Sequence, residues 1–156
     1  MSSDGDEDDL VATTIAFLAE RGWSWERVDG VPELRFLFEG ASGLTWPCFV
    51  HVEVDDQQWL FFSEVPGVIP PRDRQAVMTF LTRANFGMSI GNFEMDLDDG
   101  TVRFKTSIDA RGVALTAGLV RNHVDANLGA MDVYLPGVLE VLAGTSPEAA
   151  IASIEH

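Results

Sequence analysis

A single cysteine, Cys48, leaves the 156-residue chain no internal disulfide and no site built from several thiolates. It sits between Pro47 and Phe49 in an apolar run, where a buried small hydrophobe is expected. Cations are scarce: ten Lys and Arg against 25 Asp and Glu leave a net charge of −15. Ten scattered basic residues cannot form the stripe that neutralises a phosphate backbone, so no nucleic-acid partner is expected. No membrane partner is expected either, since an anionic lipid surface asks for the same cations. No apolar run approaches the roughly 20 residues of a membrane span. The opening residues, MSSDGDEDDL, are acidic where a secretory leader would be basic. A cytoplasmic location is the expectation.

Chemistry-bearing motifs are lacking as well. The three histidines show no pairing at a metal-ligating spacing, so no zinc site is expected. There is no nucleophile elbow, phosphate-binding glycine loop or dinucleotide fingerprint, and GMSIG at 87–91 holds two glycines but no lysine. Nothing among the 25 acids singles out a carboxylate pair for acid–base work. Neither a catalytic residue, a metal nor a cofactor is expected.

What the chain does have is core material. A hydrophobic fraction of 46%, with ten Phe and four Trp, suits one domain and exceeds what disorder would carry. The expected organisation is an acidic disordered tail over 1–9, then a single α+β domain over 10–156. Leu10, Ile15, Phe17 and Leu18, stopped by Gly22, spell an amphipathic helix. Trp23, Trp25 and Arg27 follow on one side of an extended stretch. Strict alternation then marks strands. Leu34, Phe36 and Phe38 face one way in ELRFLFEG; Cys48, Val50, Val52 and Val54 do so in CFVHVEVD; Trp59, Phe61 and Val65 do so in QWLFFSEV. A two-residue Asp56-Gln57 turn would set Val54 opposite Trp59 and Val52 opposite Phe61. The reverse face would then carry Phe49, His51, Leu60 and Phe62 among Glu53 and Glu64. That is too apolar for plain solvent surface and calls for a helix or another chain to cover it.

Further on, Val77, Phe80, Leu81 and Ala84 form the inner stripe of a second helix that ends before Gly87. A long helical pattern starts near Thr116 and runs through Leu119, Val124, Leu128, Met131, Leu135, Val138 and Leu142, with a kink or break expected at Pro136. His123, Asp125 and Asn127 lie on it, but residues two apart on a helix diverge, and a solvated or partner-facing surface explains them. Ser146 and Pro147 open a last short helix as N-cap and first residue.

Between the second and third helices, NFEMDLDDGTVRFKTSID (92–109) resembles the start of a calcium loop. Counting from Asp96, position 5 is the glycine itself and position 12 is Ser107, so the ligand pattern fails twice. A hairpin with Asp99-Gly100 as a type I′ turn accounts for it better: Met95 would face Phe104, Asp96 would face Arg103 and Glu94 would face Lys105.

FLTRAN (80–85), the hairpin GNFEMDLDDGTVRFKTSID and the segment MDVYLPGVLEVLAGTSPEAAI together resemble the YbjN family of bacterial sensory-transduction regulators over about residues 73–154. The resemblance implies a fold like that of the type III secretion chaperones: an antiparallel sheet of about five strands packed on helices, in the order α-β-β-β-α-β-β-α, commonly homodimeric. It implies no catalytic residues. The function expected is a non-enzymatic protein-binding module, chaperone-like or regulatory, acting as a homodimer. The mixed face (Phe49, His51, Leu60, Phe62) or exposed helix positions would receive an unidentified protein or peptide partner, or a second subunit. The alternative is a small-ligand-binding domain or enzyme using a pocket between sheet and long helix, for which His51 with Glu53 or Glu64 would supply polar groups.

Overall fold

The computed structural model describes residues 3–155, with side chains from residue 9 onward. Four α-helices and six strands follow one another as α1 (Ser3–Arg21), β1 (Glu26–Val28), β2 (Glu33–Glu39), β3 (Thr45–Glu53), β4 (Gln58–Glu64), α2 (Arg74–Asn85), β5 (Asn92–Met95), β6 (Val102–Asp109), α3 (Ala117–Leu142) and α4 (Pro147–Ile154). All strand pairs are antiparallel, in the order β1-β2-β3-β4-β6-β5. The fold is the expected α+β arrangement, with one strand more: Glu26–Val28 is only three residues long and pairs with β2.

The acidic segment expected as a tail is helical from Ser3; Met1 and Ser2 lie outside the described residues. The helix stops at Gly22, whose φ of 70° lets its amide reach the Ala19 carbonyl and the Trp23 amide reach that of Leu18.

The described helices all lie on one side of the sheet. Helix α3 packs on β4 and β6, α2 on β5, and α1 on β3, while α4 lies against α2 and α3. The inner side chains are those the alternation marks: Leu34, Phe36, Cys48, Val50, Val52, Trp59, Phe61 and Phe104 are all buried. Val77, Phe80, Leu81 and Ala84 are the buried stripe of α2, as expected from their spacing. Buried polar groups tie the layers. The Trp59 indole donates to Thr14 Oγ1 at 2.9 Å, and Thr14 in turn donates to the Leu10 carbonyl. Asn85 clasps β5 by donating to the Phe93 carbonyl while its own oxygen accepts from the Phe93 amide.

Both hairpin registers differ from expectation by two residues. Val52 faces Trp59 and Val50 faces Phe61, because the β3–β4 turn is longer than two residues and bends through Gln57 at φ 52°. In the second hairpin Phe93 faces Phe104, Met95 faces Val102 and Glu94 faces Arg103. Here the Asp96 amide donates to the Thr101 carbonyl, and four residues, 97–100, form the loop. The Asp96 carboxylate caps the Asp98 amide and that of Asp99 caps the Thr101 amide, which stabilises the longer turn. A slip of two preserves every side chain's face, so the core is the same.

Helix α3 runs unbroken through Pro136. The next residue must be glycine for a separate reason: a Cβ at 137 would lie 2.4 Å from Phe80 and 2.7 Å from Ile154. The caps are those expected, with Thr116 accepting from the Leu119 amide and Ser146 from the Ala149 amide.

Candidate functional site

Because the described helices all lie against one side, the opposite side of the sheet is left open. Alternation places Glu33, Arg35 and Leu37 of β2 there, with Pro47, Phe49, His51 and Glu53 of β3, Leu60, Phe62 and Glu64 of β4, and Arg103 and Lys105 of β6. Register turns these into rows across the strands. Phe49 and Phe62 are direct partners at the centre, flanked by Arg35 on one side and Lys105 on the other. His51 and Leu60 form the adjacent row between Glu33 and Ser107. The four residues expected on a mixed face are thus brought together as two cross-strand pairs.

The aromatic pair is partly roofed by its own arginines. The Arg103 guanidinium sits 4.1 Å above the Phe62 ring, and that of Arg35 5.1 Å above Phe49. This leaves Phe62 only 7% exposed, while Leu37 nearby is 73% exposed. Glu94 holds Arg103 in an ion pair and takes a second contact from Lys105 at 3.1 Å. Burial pulls the Glu94 carboxyl upward, but the hydrogen bonds and charges of Arg103 and Lys105 outweigh it and hold the group below its usual range. Glu64 is the reverse case: burial pushes its carboxyl up, against the opposing pull of Arg103 and Arg35. His51 Nε2 lies 3.0 Å from Glu53.

Two shallow concavities meet on this surface. One, of about 410 Å³, lies over Phe49, Leu60 and Phe62 between Glu33, Glu53 and Glu64. The other, of about 760 Å³, runs from Trp23 and Trp25 over Leu37 and Pro47 and shares Arg35 and Phe49 with the first. Sequence reading found the Phe49–Phe62 cluster but missed Trp25, Pro47, Arg35 and Arg103 as neighbours. A strand register placing Arg103 across from Glu64 was the missing signal.

The residues of α3 separate as helical geometry requires. Asp125 pairs with Arg21 at 2.8 Å and His123 Nδ1 lies 2.8 Å from the Leu119 carbonyl. Asn127 corrects the expectation of a solvated or partner-facing surface: it is fully buried. Its amide nitrogen donates to the Phe61 and Phe104 carbonyls at 3.0 and 3.1 Å and reaches Thr106 Oγ1 at 3.3 Å, while its oxygen has no partner. Cys48 is buried beside Ser63, and burial lifts its thiol to about 12, against the pull of Ser63 and Trp46. Among the described residues no group of three or more His, Cys, Asp or Glu is placed to hold a metal ion. No helix among them is long and apolar enough to cross a membrane.

Comparison with known proteins places this geometry in a lineage. The crystal structure of YbjN, a putative transcription regulator from E. coli, superposes with a TM-score of 0.61 at 14% identity, over 85% of this chain and 91% of that one. A chain of the ExsC–ExsE complex superposes with a TM-score of 0.55 at 15% identity, over 81% of this chain and 91% of its own. The fold is therefore the one expected, shared with YbjN and with the matching chain of the ExsC–ExsE complex. No curated protein matches the chain in sequence. The sequence profile described as "Putative bacterial sensory transduction regulator" matches residues 12–140, and the chain belongs to that family, YbjN.

Proposed function

We propose that this protein is a non-enzymatic binding module, chaperone-like or regulatory, which works in the cytoplasm as a homodimer and captures a segment of a partner protein on the open face of its sheet. The observation that carries this reading is the Phe49–Phe62 and His51–Leu60 pairing on a face that the described helices leave bare. Phe62 itself lies beneath Arg103, so the apolar surface offered is that of Phe49, Leu60 and the exposed Leu37, and apolar surface rimmed by charge is typical of interaction sites. A fold match to a protein solved in complex with another, the ExsC–ExsE pair, supports the same reading. A pocket between sheet and α3 would favour a small ligand instead. That space is filled by Phe61, Phe104, Val124 and Leu128, each 5% exposed or less.

A photo-crosslinking phenylalanine analogue at position 60 tests the face directly, with position 20 on the outer side of α1 as control. Discrete heavier adducts at position 60 in the cells that make the protein, absent from position 20, support the reading. Adducts at neither position, or equally at both, overturn it. Phe62→Glu should keep its circular dichroism spectrum and lose the adducts formed at position 60. Light scattering after gel filtration addresses the dimer: a clean monomer at micromolar concentration removes it.

A further inference from the structure

The charges on the open face are not evenly committed. Its cations Arg103 and Lys105 are both held by Glu94, and Arg103 and Arg35 are spread over the two phenylalanine rings. Among the described residues, no hydrogen bond or ion pair within 4.0 Å reaches the carboxylate of Glu33 or of Glu64. These two acids bracket the aromatic pair. Glu33 stands in the His51–Leu60 row and Glu64 in the row beyond Phe62, opposite Pro47 and Arg103. Strand geometry separates them by about 16 Å, from two strand spacings and four residues of rise. An extended segment with cations four residues apart covers about 13 Å, and flexible side chains close the rest.

We propose that the open face receives a cationic amphipathic segment of a partner protein, with apolar side chains over Phe49, Leu60 and Phe62 and Lys or Arg at Glu33 and Glu64. This rests on the sheet-face reading above and adds the chemistry of the occupant. A net charge of −15 steers such a segment toward the protein from a distance. The same charge argues against a second copy as the occupant. A twin would bring no surplus of cations for Glu33 and Glu64, and face-to-face docking would join two bodies of net charge −15 that repel. Self-association then belongs to another surface, and the sheet face is left for the partner.

The probe is a labelled peptide of about twelve residues repeating Lys-Ser-Phe-Ser, whose Lys and Phe share one side when extended. Matched peptides carry Gln or Glu in place of Lys. The Lys peptide should bind at least about tenfold tighter than the Gln peptide, and added salt should weaken it. Glu33→Gln with Glu64→Gln should cost about three- to tenfold. Glu20→Gln with Glu140→Gln, the same charge change on the helical side, should leave affinity unaltered. Circular dichroism confirms that each variant is folded. Equal affinity for the Lys and Gln peptides, lost on Phe62→Ser, overturns the cationic assignment and leaves the sheet-face reading standing. Binding of the Lys peptide that ignores the loss of Glu33 and Glu64 also overturns it, as general attraction to an acidic protein. Failure of all three peptides overturns it too, and the adducts at position 60 then decide the broader reading separately.

Discussion

Asn127→Asp changes one atom at a point where the sheet and α3 are joined. The wild-type amide nitrogen serves the Phe61 and Phe104 carbonyls and Thr106, all within 3.3 Å, at a position with no solvent exposure. A protonated aspartic acid can donate to one of these acceptors. The amide has two N–H groups to give and the acid one O–H, so the pH-independent cost is about one lost hydrogen bond with a buried acceptor left unpaired, roughly 1–2 kcal/mol. An ionised one would place negative charge against three oxygen acceptors. Full burial of this kind raises a carboxyl pKa by about 3 to 5 units over its unfolded value of about 3.9. Since the folded pKa is raised, the penalty is absent below about pH 4 and grows as pH rises, by about 1.4 kcal/mol per unit, until the folded pKa is passed. At pH 7 it adds about 4 kcal/mol, a large part of the 5–15 kcal/mol typical of a domain. The assay is urea unfolding of wild type and variant between pH 5 and pH 8, taking the difference at each pH so that the wild type's own titrations cancel. A difference that stays constant across this range would refute the reasoning, since it would mean position 127 reaches water.

Two glycines on α3 should respond oppositely to alanine. Gly129 has open space where a Cβ would stand, so Gly129→Ala should stabilise by about 0.5–1 kcal/mol and raise Tm by a few degrees. At Gly137 the same Cβ would meet Phe80 and Ile154, so Gly137→Ala should lower Tm through overpacking of about 1–3 kcal/mol, despite the gain in helix propensity. A thermal melt of the pair checks both signs. The Cys48 thiol, pushed to about 12 by burial, should fail to react with a disulfide reagent at pH 8 until denaturant opens the fold. Arg74 donates to the Ile69 carbonyl at 3.0 Å and the Leu97 carbonyl at 3.1 Å, so Arg74→Ala should speed amide exchange in the 96–101 loop while the centre of the sheet stays protected.

Alternation made the faces of the sheet legible, because a period of two survives any even error in register. That is why Phe49 and Phe62 were recognisable as surface neighbours although both hairpins were displaced by two residues. Loop length was not legible. Asp96 and Asp99 look like half a metal site or half an ion-pair ladder, and their actual work, capping the amides of Asp98 and Thr101, depends on a turn geometry that composition does not specify. The expected Asp96–Arg103 pairing gave way to Glu94, which takes both cations of β6. Asn127 was hidden for a different reason. A lone amide in an apolar helical stripe reads as surface, and only the carbonyls of Phe61 and Phe104 opposite it give it a reason to be inside. The brevity of β1 and the lack of a local break ahead of α1 account for the missing strand and the misplaced helix start.

The one-sided sheet has a consequence for how such a protein can change. Along β3 and β4, residues that hold the fold alternate with residues that meet the outside, so two instructions are interleaved in one string. Replacing Phe49 or Leu60 changes the outer surface, and Val50 or Phe61, one position away, goes on packing against the helices. The outer surface can therefore drift without renegotiating the core. A scaffold of this kind can keep its shape at 14% identity while its outer face is rewritten.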